Sequence, residues 1–200
     1  MFAYAANNPV RYIDPTGRNS EDDLASELGN TTKSKGVDLN LFSNNREQDI
    51  VDKTSTNKNI YMRDVADNVK RYNSLFYVSG HGSRDIVSSC GTDGNEEKSY
   101  LQPEQLAKLI KENPNYKGQP VVLLVCNNGN DPNNDENSID CYAQRLANAL
   151  GENSIVIASE GYVDYKTGVM IQTRPNGREI TCRTYSVDPG KQHLFRGVKK

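Results

Sequence analysis

The chain is short of the residues on which several common chemistries depend. Only two of its 200 residues are histidine, His81 and His193, which argues against a His-Asn-His metal nuclease. The four cysteines, Cys90, Cys126, Cys141 and Cys182, include no Cys-x-x-Cys pair, which excludes a zinc ribbon or a thioredoxin-like redox motif. His81 is followed by Gly82 and Ser83, so the His-x-Glu signature of the zinc nucleobase deaminases is missing. No apolar run approaches the roughly 18–20 residues needed to cross a bilayer. The N-terminus carries no basic stretch leading into an apolar one, as a secretory signal would. The chain is therefore expected to work in the cytoplasm or to be exported within something larger. A formal net charge of −2 leaves no footprint for nucleic acid over the whole chain.

What is present is an ordinary soluble composition, 35% hydrophobic and 25% charged. Two hundred residues suffice for one domain with a sizeable core. The charge is uneven. From Gly161 onward eight Lys or Arg stand against three Asp or Glu. A basic C-terminal part of this kind is read as a solvated face, with an anionic contact surface as the sharper alternative.

The organising stretch is Val121 to Val125, five consecutive apolar residues ending at Cys126 and an Asn127-Asn128-Gly129 loop. Such a run reads as a strand buried on both faces. Ser74–Ser79 is a second such strand, ending in Gly80-His81-Gly82-Ser83, and Ser154–Ser159 is a third. Val37–Phe42 alternates as a half-buried strand does. Helices are expected over Met62–Tyr72, with Met62, Val65, Ala66, Val69 and Tyr72 on one stripe, over Pro103–Glu112, with Leu106, Leu109 and Ile110 inward, and over Ser138–Leu150. Residues 19–36 read as a polar linker holding one short helix, Glu21 to Leu28. Arg84 to Ser99 reads as a polar excursion. Gly168–Arg174 and Glu179–Val187 flank Pro175-Asn176-Gly177, a strong hairpin signal. The alternation of helix and strand between 62 and 159 predicts an α/β fold with a mainly parallel sheet and a C-terminal β-hairpin. In such sheets function collects at the carboxyl edge of the strands.

His81, Cys126 and the Ser159-Glu160-Gly161 segment all fall at that edge. A cysteine is a nucleophile as its thiolate, and a neighbouring base or cation favours that form. Taken singly, Cys126 reads as a core cysteine and His81 as a loop histidine; together, on matching strand ends, they read as a catalytic pair. Backbone N–H groups at Gly82 and Asn127 are candidate oxyanion donors. Ser159 and Glu160 are candidates for a substrate pocket, with a solvated loop acid as the plainer reading of Glu160. Cys90, Cys141 and Cys182 are read as structural. No metal and no cofactor is expected.

Two resemblances add to this. Tyr4-Ala5-Ala6-Asn7-Asn8-Pro9-Val10-Arg11-Tyr12-Ile13-Asp14-Pro15-Thr16-Gly17 resembles the closing motif of the Rhs-repeat core, the shell of large secreted bacterial proteins that end in a variable toxin. Some members cut themselves after Asp-Pro-x-Gly-Leu; here Arg18 stands where the Leu would be. The resemblance implies residues 1–18 as the end of the shell, 19–36 as linker and 37–200 as the toxin domain. It also implies export as part of a larger effector, action in the recipient cell's cytoplasm and a cognate immunity protein as partner.

Residues 37–165, with His81-Gly82 after one strand and Cys126 after the next, are similar to the caspase-like (clan CD) cysteine peptidases. That resemblance implies a three-layer sandwich, His81 and Cys126 as the catalytic pair, and a protein substrate. The Gln-Ala-Cys-Arg-Gly box of caspases is absent, so their aspartate preference is not implied. The alternatives are an autoprocessing protease of the same fold, a nuclease or deaminase toxin, and a binding module that kept the fold alone.

Overall fold

A computed structural model describes residues 20–43, 50–53, 59–90, 98–129, 141–159, 162–164, 169–171 and 192–197. In chain order its elements are α1 (Ser20–Glu27), β1 (Lys33–Lys35), β2 (Leu39–Asn40), β3 (Ile50–Lys53), β4 (Asn59–Tyr61), α2 (Met62–Ala66), β5 (Lys70–Tyr72) and β6 (Phe76–Ser79). There follow β7 (His81–Gly82), β8 (Val87–Cys90), β9 (Lys98–Leu101), α3 (Pro103–Glu112), β10 (Val121–Leu124), α4 (Tyr142–Leu150), β11 (Ile155–Ser159), β12 (Tyr162–Asp164), β13 (Val169–Ile171) and β14 (Gln192–Arg196).

The fold is mixed α/β. Its central sheet has the order β14-β11-β10-β6-β2; β2, β6, β10 and β11 run parallel and β14 closes one side antiparallel. The apolar runs read from the sequence form the middle of this sheet. Successive residues of a strand point to opposite faces, and both faces are covered. Phe76, Val78, Val121, Leu123 and Ala158 pack with Leu106 and Ile110 of α3 and Leu146 of α4. Tyr77, Val122, Leu124 and Ile157 pack on the other side with Leu24 of α1 and Ala66 of α2. That double covering is why these strands read as unbroken apolar runs rather than alternating ones. Each fully buried Val, Leu, Ile or Phe contributes about 1.5–3 kcal/mol.

Local chemistry sets the helix ends. Pro103 occupies the first turn of α3, where no N–H is needed, and the Gln102 N–H donates to Gln105 Oε1 at 2.8 Å. The buried face is Pro103, Leu106, Ala107 and Ile110, while Leu109, expected inward, is exposed. Tyr142 opens α4 from within the core, its hydroxyl donating to the Leu101 carbonyl at 3.0 Å. Burial pushes that phenol well above its ordinary pKa.

Three further expectations change. The helix foreseen over Met62–Tyr72 stops at Ala66, turns at Asp67-Asn68, and resumes as β5, paired antiparallel with β1. The stripe residues Met62, Val65, Val69 and Tyr72 still pack on the core beside Ala66, so a helix–turn–strand meets the same burial pattern. The Asn68 side-chain amide closes the turn by donating to the Asp64 carbonyl at 2.7 Å, and Gly36 N–H takes the Val69 carbonyl at 2.9 Å. Second, the polar excursion supplies β8 and the start of β9 to a small antiparallel sheet, β7-β8-β9. Third, residues 20–35 join the fold: Leu24 and Ala25 are buried. Of the expected C-terminal hairpin only Val169–Ile171 is described, paired with Tyr162–Asp164; its turn and the shell motif lie outside the described residues.

The N-terminal segment is held by phenols. Tyr77, buried under α1, donates to Glu21 Oε2 at 2.6 Å, and the Tyr72 hydroxyl donates to Asp22. Burial first, and the Glu21 carboxylate second, push the Tyr77 phenol far up, so it remains a donor across the physiological range. A hydrogen bond to a charged group is worth about 1.5–3 kcal/mol. Tyr77→Phe should therefore lower the free energy of unfolding by about that amount, measured by urea denaturation; an unchanged midpoint would show that α1 is not held this way.

Candidate active site

β6 and β10 lie side by side in parallel, with Phe76 opposite Val121 and Ser79 opposite Leu124. Neighbouring strands are about 4.8 Å apart. His81 and Cys126 each come two residues after that last pair, so the two chains leave the sheet together at one edge. β11 is the next strand across, with Ala158 opposite Leu123; Ser159 ends it at the same edge. Glu160, the expected pocket acid, lies outside the described residues.

Beyond Ser79 the chain passes Gly80 and enters the β7–β8 hairpin, in which His81 pairs with Ser88 and Gly82 with Val87. Ser83 N–H closes the turn on the Ile86 carbonyl at 3.0 Å. The imidazole is half-buried and meets Phe42 edge to face, with ring centroids 5.0 Å apart. Gly82 is required by space. A β-carbon there would overlap the Val125 side chain and stand 2.8 Å from the Ile86 carbonyl oxygen, and Val125 is fully buried.

On the cysteine side, Val125 leaves the strand and residues 126–129 form a turn. Asn127 takes a φ of 60°, a left-handed conformation that Asn tolerates better than most residues. The turn therefore reverses immediately after Cys126 and leaves that residue at its start. Cys126 is a half-buried thiol, whereas the thiols of Cys90 and Cys141 are buried. Cys182 lies outside the described residues. The backbone of His193 is on β14, opposite Ala158.

The two loops are joined by a residue that the sequence did not single out. Asn128 is fully buried. Its side-chain amide donates to the Ser83 carbonyl, at the end of the histidine segment. Its own carbonyl accepts from Ala143 N–H at 3.1 Å, in the first turn of α4. One turn of that helix also reaches the histidine hairpin through Arg145, whose guanidinium donates to the Asp85 carbonyl at 3.4 Å and pairs with its carboxylate at 3.7 Å. The structure thus brings together the segments bearing Cys126, Asn127, His81 and Gly82. In the sequence, an Asn inside an Asn-rich loop carries no signal beyond turn formation, so nothing there marks Asn128.

Among the described residues no group of three or more His, Cys, Asp or Glu could hold a metal ion, and no helix is long and apolar enough to cross a membrane. Residues 37–179 match a family described as a domain of unknown function, DUF8616. The chain belongs to DUF8616. The matched stretch contains β2 through β13, and with them His81, Cys126 and Asn128, but neither α1 nor β14. No curated protein matches the chain, and no solved structure does.

The fit at Gly82 is testable. Inserting a methyl group into a packed interior costs about 1–3 kcal/mol, and here the groups in the way are a buried valine and a backbone carbonyl. Gly82→Ala should lose stability in that range in urea unfolding. A variant as stable as the parent would mean that the two loops are not in contact at this point.

Proposed function

We propose that this DUF8616 chain is a cysteine endopeptidase with Cys126 as nucleophile and His81 as its proton-transfer partner. The observation that carries the reading is the pairing of Ser79 with Leu124, since it puts a half-buried thiol and a half-buried imidazole just past the same edge of adjacent parallel strands. The edge is where open α/β sheets place their chemistry. The Gly82 and Asn128 contacts hold the two loops against each other, as a preorganised site needs.

The reaction runs in two steps. The Cys126 thiolate adds to the scissile carbonyl carbon, forming an Sγ–C bond. The C–N bond then breaks, with His81 giving its proton to the leaving amine. Water next attacks the thioester and gives a proton to His81; the C–S bond breaks, releasing the carboxylic acid and restoring the thiolate. Backbone N–H groups of Gly82 and Asn127 are assigned to the oxyanion, and Ser159 and Glu160 to the substrate side chain preceding the cleaved bond.

In this reading the fold is of the caspase-like type, supported by four parallel strands with helices on both faces. The Rhs-like motif at residues 4–17 supports a role as the toxic end of a secreted bacterial effector that cleaves a protein in the recipient cell. An immunity protein would then be its natural antagonist.

A peptidyl acyloxymethyl ketone, which alkylates cysteine proteases through their thiolate, should label Cys126 in the wild type and fail after Cys126→Ala. The same substitution should abolish toxicity on expression in bacteria while leaving the circular dichroism spectrum unchanged. Preferential labelling of Cys90, or a Cys126→Ala chain that still kills, would overturn the reading.

A further inference from the structure

The geometry points to Asn128 as a positioning residue for the His81–Cys126 pair, one that holds the histidine hairpin to the nucleophile turn through its side-chain amide. The inference rests on the protease reading above and extends it to a residue that touches neither substrate nor the reacting atoms.

Three observations carry it. The first is connectivity. Asn128 lies two residues after Cys126, and its amide donates to the carbonyl of Ser83, two residues after His81. This side-chain hydrogen bond joins the two loops directly. The fit of Gly82 against Val125 sets a spacing but no direction.

The second is chemistry. Ser83 offers a carbonyl, so the side chain facing it must be a donor. The amide supplies one, while its Oδ1 is buried without a hydrogen-bond partner among the described residues. A buried acceptor left unsatisfied costs free energy that alanine would not incur. Among the described residues the donor half of the group is the half in use.

The third is anchoring. The Asn128 carbonyl is tied to Ala143 N–H, and Arg145 of the same helix holds Asp85 at the tip of the histidine hairpin. Asn128 is thus fixed to α4 through its backbone and reaches the hairpin through its side chain. Loss of the amide would remove the polar tie on the side facing Cys126, leaving the hairpin to its pairing with β9, its packing and the tie at its tip.

Two substitutions test this, with the labelling rate of Cys126 as readout and near-ultraviolet circular dichroism confirming the fold. Asn128→Ala removes the donor. Labelling by a peptidyl acyloxymethyl ketone, which needs imidazole and thiolate aligned, should slow by on the order of 100-fold, the cost of a misplacement of about 1 Å. Alkylation of Cys126 by iodoacetamide, which needs the thiolate but no aligned proton donor, should be far less affected.

Asn128→Asp keeps the shape and replaces the donor by a carboxylate facing the Ser83 carbonyl. Burial raises the pKa of such a group above the ordinary value of about 3.9. Below that raised pKa the carboxyl O–H can donate to Ser83 again. The ratio of the variant's ketone-labelling rate to the wild type's should therefore climb as pH falls from about 8 toward 5.

A folded Asn128→Ala that reacts with the ketone at the wild-type rate overturns the inference, as does an Asn128→Asp ratio that is flat with pH. If Asn128→Ala does not fold, the pH dependence of the Asn128→Asp ratio decides alone. Failure of the ketone to label Cys126 in the wild type overturns the protease reading and this inference with it. Normal labelling of the wild type with unaltered variants overturns only the role of Asn128.

Discussion

The parallel pairing of β6 with β10 is the constraint from which the rest of the molecule follows. Four residues of one strand lie opposite four of the other, Phe76 with Val121 through Ser79 with Leu124. In a sheet a slip of one residue would exchange the two faces, and here the faces pack against different helices. Phe76, Val78, Val121 and Leu123 belong to the α3/α4 side, and Tyr77, Val122 and Leu124 to the α1/α2 side. Burial on both sides therefore fixes the register, and the register fixes where His81 and Cys126 emerge. The proposed site inherits its geometry from the core.

The helix α4 extends that control past the ends of the strands. Its apolar face, with Tyr142, Ala143, Leu146 and Ala147, is buried against the sheet. Its first turn binds the cysteine loop at Asn128 and the histidine hairpin at Asp85. Loops are ordinarily the more mobile parts of a fold. Here both site loops are tied to one helix and to each other, so that small displacements of the pair are resisted by packed structure. A catalytic pair held to within a fraction of an ångström is what efficient attack requires.

Much of this was legible in the sequence where burial is two-sided. The strands at 76–79, 121–124 and 155–159 and the helix at 103–112 announce themselves by unbroken apolar runs or by 3–4 spacing, and the emergence of His81 and Cys126 at one edge follows from parallel order. What was not legible depends on partners distant in the chain. Met62–Tyr72 has helical spacing, yet β1 offers β5 a strand partner and the last residues take it. β8, Val87-Ser88-Ser89-Cys90, is half polar and gains its order from its neighbours β7 and β9. β14 pairs with β11 although only Leu194 and Phe195 in it are apolar. Asn128 is the sharpest case, since its side-chain hydrogen bond to Ser83 spans 45 residues and nothing in an Asn-Asn-Gly sequence foretells it.

The central claim, that Cys126 cleaves peptide bonds, is tested most directly by mapping protein N-termini in cells that express the wild-type chain or Cys126→Ala. The account predicts a set of new N-termini in wild-type cells, sharing the residue on the amino side of the cut, that is absent with Cys126→Ala. Identical N-termini in the two samples, with the wild type expressed and toxic, would contradict it.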